Sequence, residues 1–192
     1  MNKILYHSHL FKLNNMIPDF NDEGNLPPGI YKPNLLEFKK RFVLSCANSK
    51  TRCPLYSNYI DYCNEIIAFD IASKNWVDGS FTTKKEDPGD VDIVVHYDAL
   101  KLNSIKERAA IATRLLDRIN TKTIFHCHTF LVPVYPPHDP RHVQTYLQSK
   151  KWGKWFSQDK ITKREKGLIE FDLSNSEHKQ NIMSEGESHG QP

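Results

Sequence analysis

Two short stretches, Val77-Asp78-Gly79-Ser80 and Asp90-Val91-Asp92-Ile93-Val94-Val95, constrain this chain more than any others, and nine residues separate Ser80 from Asp90. Side chains alternate across a strand. A strand through 90–95 therefore sets the carboxylates of Asp90 and Asp92 on one face and sends Val91, Ile93 and Val95 into a core on the other. Two adjacent carboxylates repel unless a cation neutralises them, and oxygen donors of this kind suit Mg²⁺ or Mn²⁺. Gly79 allows a sharp turn and close approach of the backbone to a ligand, while Ser80 adds a hydroxyl and an N–H suited to phosphate oxygens. Between the two stretches, Lys84 and Lys85 bring positive charge beside a triphosphate, and Pro88-Gly89 resets the chain into the strand. An isolated Asp-x-Asp at a strand start is common without a metal. The preceding Gly-Ser turn is what makes a metal site at Asp90 and Asp92, facing phosphate contacts at Gly79, Ser80, Lys84 and Lys85, the sharper reading.

Periodicity supplies the frame around that segment. Asn34 caps a short helix with Glu37 three residues on and Leu35, Phe38 and Phe42 inward. A longer helix spans about Pro54 to Ala72, with Tyr56, Tyr59, Ile60, Cys63, Ile66, Ile67 and Ile71 on one broad face, which makes Cys63 a core residue. A third, from Ser104 to Ile119, turns Ile105, Ala109, Ala112, Leu116 and Ile119 inward. Strand-like stretches occur at Trp76-Val77, 91–95, Thr123 to Tyr135 and Leu168 to Leu173, and a further helix is expected from Arg141 to Phe156. Helices alternating with strands indicate an α/β or α+β fold. The Gly-, Pro- and Asn-rich run from Asn21 to Pro33 reads as an extended surface loop.

With 192 residues and 39% apolar content, the chain has the size of one domain able to bury a continuous core. A net charge of +3 does not by itself point to nucleic acid or membrane. Four cysteines without CxxC spacing, and an N-terminus broken early by His7, Ser8 and His9, suggest a cytoplasmic setting with reduced thiols. No stretch reaches the roughly 18 to 20 apolar residues of a membrane span, so no membrane partner is expected.

The pattern h-G-S, nine residues, then D-h-D-h-V-V resembles the signature of the DNA polymerase beta-like nucleotidyltransferases. Met16-Ile17-Pro18-Asp19-Phe20, Gly24-Asn25-Leu26-Pro27-Pro28-Gly29-Ile30-Tyr31 and Val132-Pro133-Val134-Tyr135-Pro136 narrow this to a resemblance with a bacterial family of short nucleotidyltransferase-like proteins. The resemblance covers about residues 16 to 173. It implies a mixed sheet of four or five strands with helices mainly on one face and the site open on the other. It also implies transfer of a nucleoside monophosphate from a nucleoside triphosphate to an acceptor such as RNA or protein. Asp90 and Asp92 would then be metal ligands, and Gly79 and Ser80 phosphate contacts. A toxin–antitoxin or phage-defence setting, with a possible partner protein, follows by analogy only. Such enzymes take a third carboxylate from a neighbouring strand, and here the corresponding segment, Phe125-His126-Cys127-His128-Thr129, has no acid. His128 is the candidate replacement, with His126 expected on the same face, as a metal ligand or base. Equally open are a structural role for one histidine, and a fold that binds nucleotide or a partner while its catalysis is weakened or lost. A zinc site from His126, Cys127 and His128 is disfavoured because neighbours on a strand face opposite ways.

Two further clusters stand out. Lys150 to Lys166 holds seven Lys or Arg with Trp152, Trp155 and Phe156, a composition that suits a single-strand binder, the lining of a nucleotide pocket, or an ordinary surface helix and turn with its aromatics partly in the core. His138, Asp139, Arg141 and His142 read as a polar loop, with Arg141 available to phosphate if the turn folds over the site. Residues 1–15 are expected to form an N-terminal extension, 16–173 the domain, and 174–192 a flexible polar tail too poor in large apolar groups to repay its ordering.

Overall fold

The computed structural model describes residues 16–104 and 109–189. Its centre is a five-stranded sheet built from β1 (Ile30–Tyr31), β2 (Ala72–Asp78), β3 (Val91–Asp98), β4 (Cys127–Val134) and β5 (Leu168–Asp172), in the order β1-β5-β2-β3-β4. The two outer pairs, β1 with β5 and β3 with β4, are parallel, whereas β2 runs antiparallel to both β3 and β5. The alternation of helices and strands is thus an α/β arrangement, and the sheet is mixed with five strands, within the four or five expected.

Strand alternation divides the molecule into two faces. Val77, Val91, Ile93, Val95, Cys127, Ile169 and Phe171 point into the larger core, against α1 (Leu35–Lys39) and α2 (Arg52–Ala68). That core also receives α4 (Ala109–Leu116) through Ala112, Leu115 and Leu116. Trp76, Val94, Phe130, Val132 and Leu168 point the other way, where α6 (His142–Phe156) covers part of the sheet through Phe156 and Trp152. The remainder of that second face is open, and Asp78, Asp92 and His128 lie on it.

The first helix forms as its sequence dictates: Asn34 Oδ1 accepts from the Glu37 N–H at 2.8 Å. Past Lys39 it widens into a π-helical turn, Lys40–Leu44, which keeps Phe42 and Val43 in the core. In α2 the expected face is buried, Cys63 included and Ile67 in part, and burial pushes the Cys63 thiol up to about 12. Ile71 is buried too, but beyond the helix, at the entry to β2.

Four expectations are corrected. The helix expected from Ser104 to Ile119 does not reach Ile119: Ser104 ends α3 (Ala99–Ser104), α4 stops at Leu116, and Asp117 adopts an extended conformation and caps α5 (Arg118–Phe125) by accepting from the Asn120 N–H. This new start rotates Ile119 to the surface, where it is 74% exposed. Residues 105–108 and the extension 1–15 lie outside the described residues. Second, because that cap starts a helix, 118–125 is helical despite its β-branched residues, and the strand begins only at Cys127. Third, the loop of 21–33 is not purely superficial, since Asn25 and Leu26 are buried and Ile30–Tyr31 adds the edge strand. Fourth, Ser176–His189 forms a helix, α7, that packs on α2 and buries Ile182 to 1% exposure. One well-placed isoleucine and the Asn175 side chain, which accepts from the Glu177 N–H at 2.8 Å, order a segment whose composition is polar.

Candidate active site

Gly79–Thr82 forms a single 3₁₀ turn at the end of β2, and it is pinned from below. Phe81 is fully buried against Phe38 and Phe42 at ring distances of 5.9 and 6.4 Å. Gly79 has φ of +79°, and a Cβ there would stand 2.0 Å from Asp92 Oδ2, so both the backbone conformation and the neighbouring carboxylate demand glycine. The turn and the Asp strand are thus fitted to each other at one position.

Asp92 is buried in β3, with Asp90 just before the strand and half-buried. In the parallel β3–β4 pairing Asp92 stands opposite His128, whose Nδ1 lies 3.1 Å from Asp92 Oδ1. Asp90, Asp92 and His128 each offer a ligand atom, and these atoms fall within 4.8 Å of one another. The register follows from His126, whose carbonyl accepts from the Val91 N–H at 3.0 Å. His126 itself caps the end of α5 in the left-handed conformation, φ 51°, with its ring exposed. It does not share a strand face with His128, because the strand has not begun. Cys127 faces the core and is fully buried, so the zinc arrangement is not formed.

Lysines face these acids. Lys122 Nζ is 3.0 Å from Asp90 Oδ2, and Lys160 Nζ is 3.9 Å from Asp92 Oδ2. Burial raises the Asp92 carboxyl above its ordinary range, and the charge of Asp90 pushes the same way, while Lys160 and His128 oppose them. Two carboxylates so placed gain from a cation, and their oxygens suit Mn²⁺ or Mg²⁺, the nearby imidazole nitrogen favouring Mn²⁺ over the oxygen-seeking Mg²⁺.

The acids open into a cavity of about 460 Å³ whose lining includes Gly79, Ser80, Thr83, Lys84 and Lys85 from the turn and the following loop. Across it stand Phe130, Trp155, Phe156, Lys160 and Ile161. All four residues expected to contact phosphate therefore line the same space as Asp90 and Asp92. Arg141 does not line it: its guanidinium pairs with Asp139 at 3.0 and 2.8 Å and stacks over Tyr135.

Sequence reasoning left three groups unassigned. Arg52 is buried and donates to five carbonyls, those of Phe42, Phe81, Thr83, Lys85 and Glu86, at 2.6 to 3.3 Å. It shapes the loop that carries Lys84 and Lys85. Asp78, beside the turn, is buried in an ion pair with Lys166 at 2.7 Å and accepts from the Thr82 hydroxyl at 3.1 Å. Burial pushes its carboxyl up to about 6 against the pull of Lys166. Asp159 turns the segment bearing Lys160 by accepting from the Ile161 and Thr162 N–H groups, and it also accepts from Asn25. A buried charge within a local motif, such as Asp78 before Gly79-Ser80, was the only available signal for these groups.

A family model described as a family of unknown function, DUF6932, matches residues 18–172. Neither the curated proteins nor the solved structures contain a significant match to the chain.

Proposed function

From a chain that belongs to the DUF6932 family, whose function is unknown, we propose a metal-dependent nucleotidyltransferase that moves a nucleoside monophosphate from a nucleoside triphosphate to an acceptor hydroxyl. The observation that carries this reading is the fit of Gly79 against Asp92, with Asp90 and Asp92 lining a cavity that Lys84, Lys85 and Lys160 also line, and His128 within reach of both acids. The turn at Gly79-Ser80 offers N–H groups and a hydroxyl to the phosphate chain, and Lys84 and Lys85 balance its charge. A divalent cation held by Asp90, Asp92 and His128 would neutralise the phosphates and orient the acceptor oxygen. The acceptor oxygen forms its bond to the α-phosphorus as the bond from that phosphorus to the bridging oxygen breaks, and pyrophosphate leaves with the bonding pair. His128 sits across from Asp92 where a third acid would otherwise stand, and its imidazole is a group able to take the acceptor proton. Lys160, which lines the cavity beside Asp92, is placed to turn to phosphate when substrate enters.

A second reading is favoured by one specific observation: each acid has its own lysine partner and the third position is a histidine. In that reading the cavity binds nucleotide or a partner without transfer. Pyrophosphate release separates the two. Release from a nucleoside triphosphate with Mn²⁺ or Mg²⁺, lost in Asp92→Asn, supports the enzyme. Nucleotide binding with no release under either metal supports the binding module.

A further inference from the structure

Among the described residues nothing covers the outer face of α6, and its chemistry changes along its length. Val143, Tyr146 and Leu147 are 55 to 59% exposed in its first half, and Lys150, Lys151 and Lys154 are exposed in its second. The spacing of three and four residues places all six on one stripe. The stripe ends at Trp155, which is 45% exposed and lines the cavity, and it continues past the helix in Lys160, Lys163 and Arg164.

Charge on the helical part of this face lacks carboxylate partners among the described residues, whereas beyond the helix Lys160 pairs with Asp92 and Arg164 with Glu23. The chain has 23 acidic residues, yet none lies between Pro140 and Gln158. Among the described residues Lys150, Lys151 and Lys154 have no ion pair with a carboxylate, and Lys150 and Lys151 lie instead over the rings of Tyr146 and Trp152. A surface helix evolved only for solubility carries mixed charges. Exposed rings between unpaired lysines give instead what a flexible polyanion with planar bases needs: stacking surfaces beside a cationic track. Lys150 and Lys154 are one helical repeat apart, about 6 Å along the axis.

We propose that the α6 stripe binds a single-stranded nucleic acid and leads its end into the cavity, which makes that strand the acceptor. The inference rests on the reading of the cavity as a transfer site, but the binding step can be measured without turnover. Tyr146 and Trp155 stack bases, Lys150, Lys151 and Lys154 follow the backbone, and the C-terminal end of α6 delivers the strand end beside Asp90 and Asp92.

The test is fluorescence anisotropy of labelled 15-nucleotide single-stranded RNA and DNA probes with the full chain, across a salt series. Charge reversal at all three exposed lysines, K150E/K151E/K154E, should weaken binding by roughly tenfold or more and flatten the log–log salt dependence by about 2. Tyr146→Ala and Trp155→Ala should each weaken it roughly five- to a hundredfold with the salt slope unchanged. A preference for the RNA probe over the DNA probe identifies ribose as part of the recognition, and equal binding identifies the strand alone. Probe binding is measured without metal or nucleoside triphosphate, so failure of the catalytic reading leaves this result intact. Binding of neither probe, or binding unchanged by the lysine reversal in a protein with native circular dichroism, overturns the proposal. So does self-association of the chain, seen by sedimentation, that Val143→Asp/Leu147→Asp abolishes, because the stripe would then be a protein interface.

Discussion

Arg52 offers the sharpest stability test of how the site is supported. Its guanidinium is 1% exposed and donates to the carbonyls of Phe42, Phe81, Thr83, Lys85 and Glu86, which otherwise have to be satisfied by water or left unpaired. A hydrogen bond to a charged group contributes about 1.5–3 kcal/mol, and a stranded buried acceptor costs about 1–3 kcal/mol. Water entering along the partly buried Thr83–Glu86 side recovers much of this, so Arg52→Ala should cost about 3–5 kcal/mol, a large part of the roughly 5–15 kcal/mol that holds a domain together. Arg52→Lys keeps the charge but not the planar fork, and should cost about 2 kcal/mol. Urea unfolding with linear extrapolation reads both values. Because the same carbonyls shape the loop with Lys84 and Lys85, Arg52→Lys should also weaken triphosphate binding more than it weakens the fold. A loss below about 1 kcal/mol for Arg52→Ala would refute the argument that this residue organises the loop.

Gly79→Ala should lower stability by about 1–3 kcal/mol, since φ is +79° and the new Cβ displaces the Asp92 carboxylate; thermal denaturation and Mn²⁺ titration should both register it, and an unchanged Mn²⁺ affinity would contradict the fit. His96 is buried, and burial, with Lys74 adding to it, pushes its pKa down to about 3. The unfolded chain therefore binds this proton more tightly than the folded one: stability is intact above about pH 6.5 and is lost, by several kcal/mol, as pH falls toward 3. Chemical unfolding across that window should show this slope in the wild type and a flatter one in His96→Leu. Ile182→Ala should cost about 2–4 kcal/mol in urea unfolding, whereas no effect would mean that α7 does not hold to α2.

What was legible in the sequence was what short-range rules govern. Alternation placed Val91, Ile93 and Val95 in the core and Asp92 on the opposite face, and the Asn34 cap and the buried face of α2 followed from spacing alone. The motif placed the Gly79-Ser80 turn facing the Asp strand, and the antiparallel pairing of Asp78 with Asp92, which sets Gly79 directly against the Asp92 carboxylate, is what the structure adds. What failed depended on single side chains with non-local effects. Asp117 caps a helix through residues whose β-branching favours a strand, and that shift takes His126 off β4 while leaving His128 in place. Arg52 sits in an unremarkable helix start, and nothing local says that five carbonyls from two other segments surround it. The helix at 176–189 is secured by long-range burial of Ile182 that composition does not display.

The central claim, phosphoryl-bond chemistry at Asp90 and Asp92, is tested most directly by following the two ends of one triphosphate. The chain is incubated with Mn²⁺, a pool of RNA and protein, and a nucleoside triphosphate labelled either at the α- or at the γ-phosphorus, beside the Asp90→Ala/Asp92→Ala variant. Nucleotidyl transfer predicts that α-label enters a macromolecule, that γ-label leaves as pyrophosphate, and that the variant does neither. Label entering the acceptor from the γ-position, equal transfer by the variant, or no transfer from any of the four nucleotides by a folded wild-type chain would contradict it.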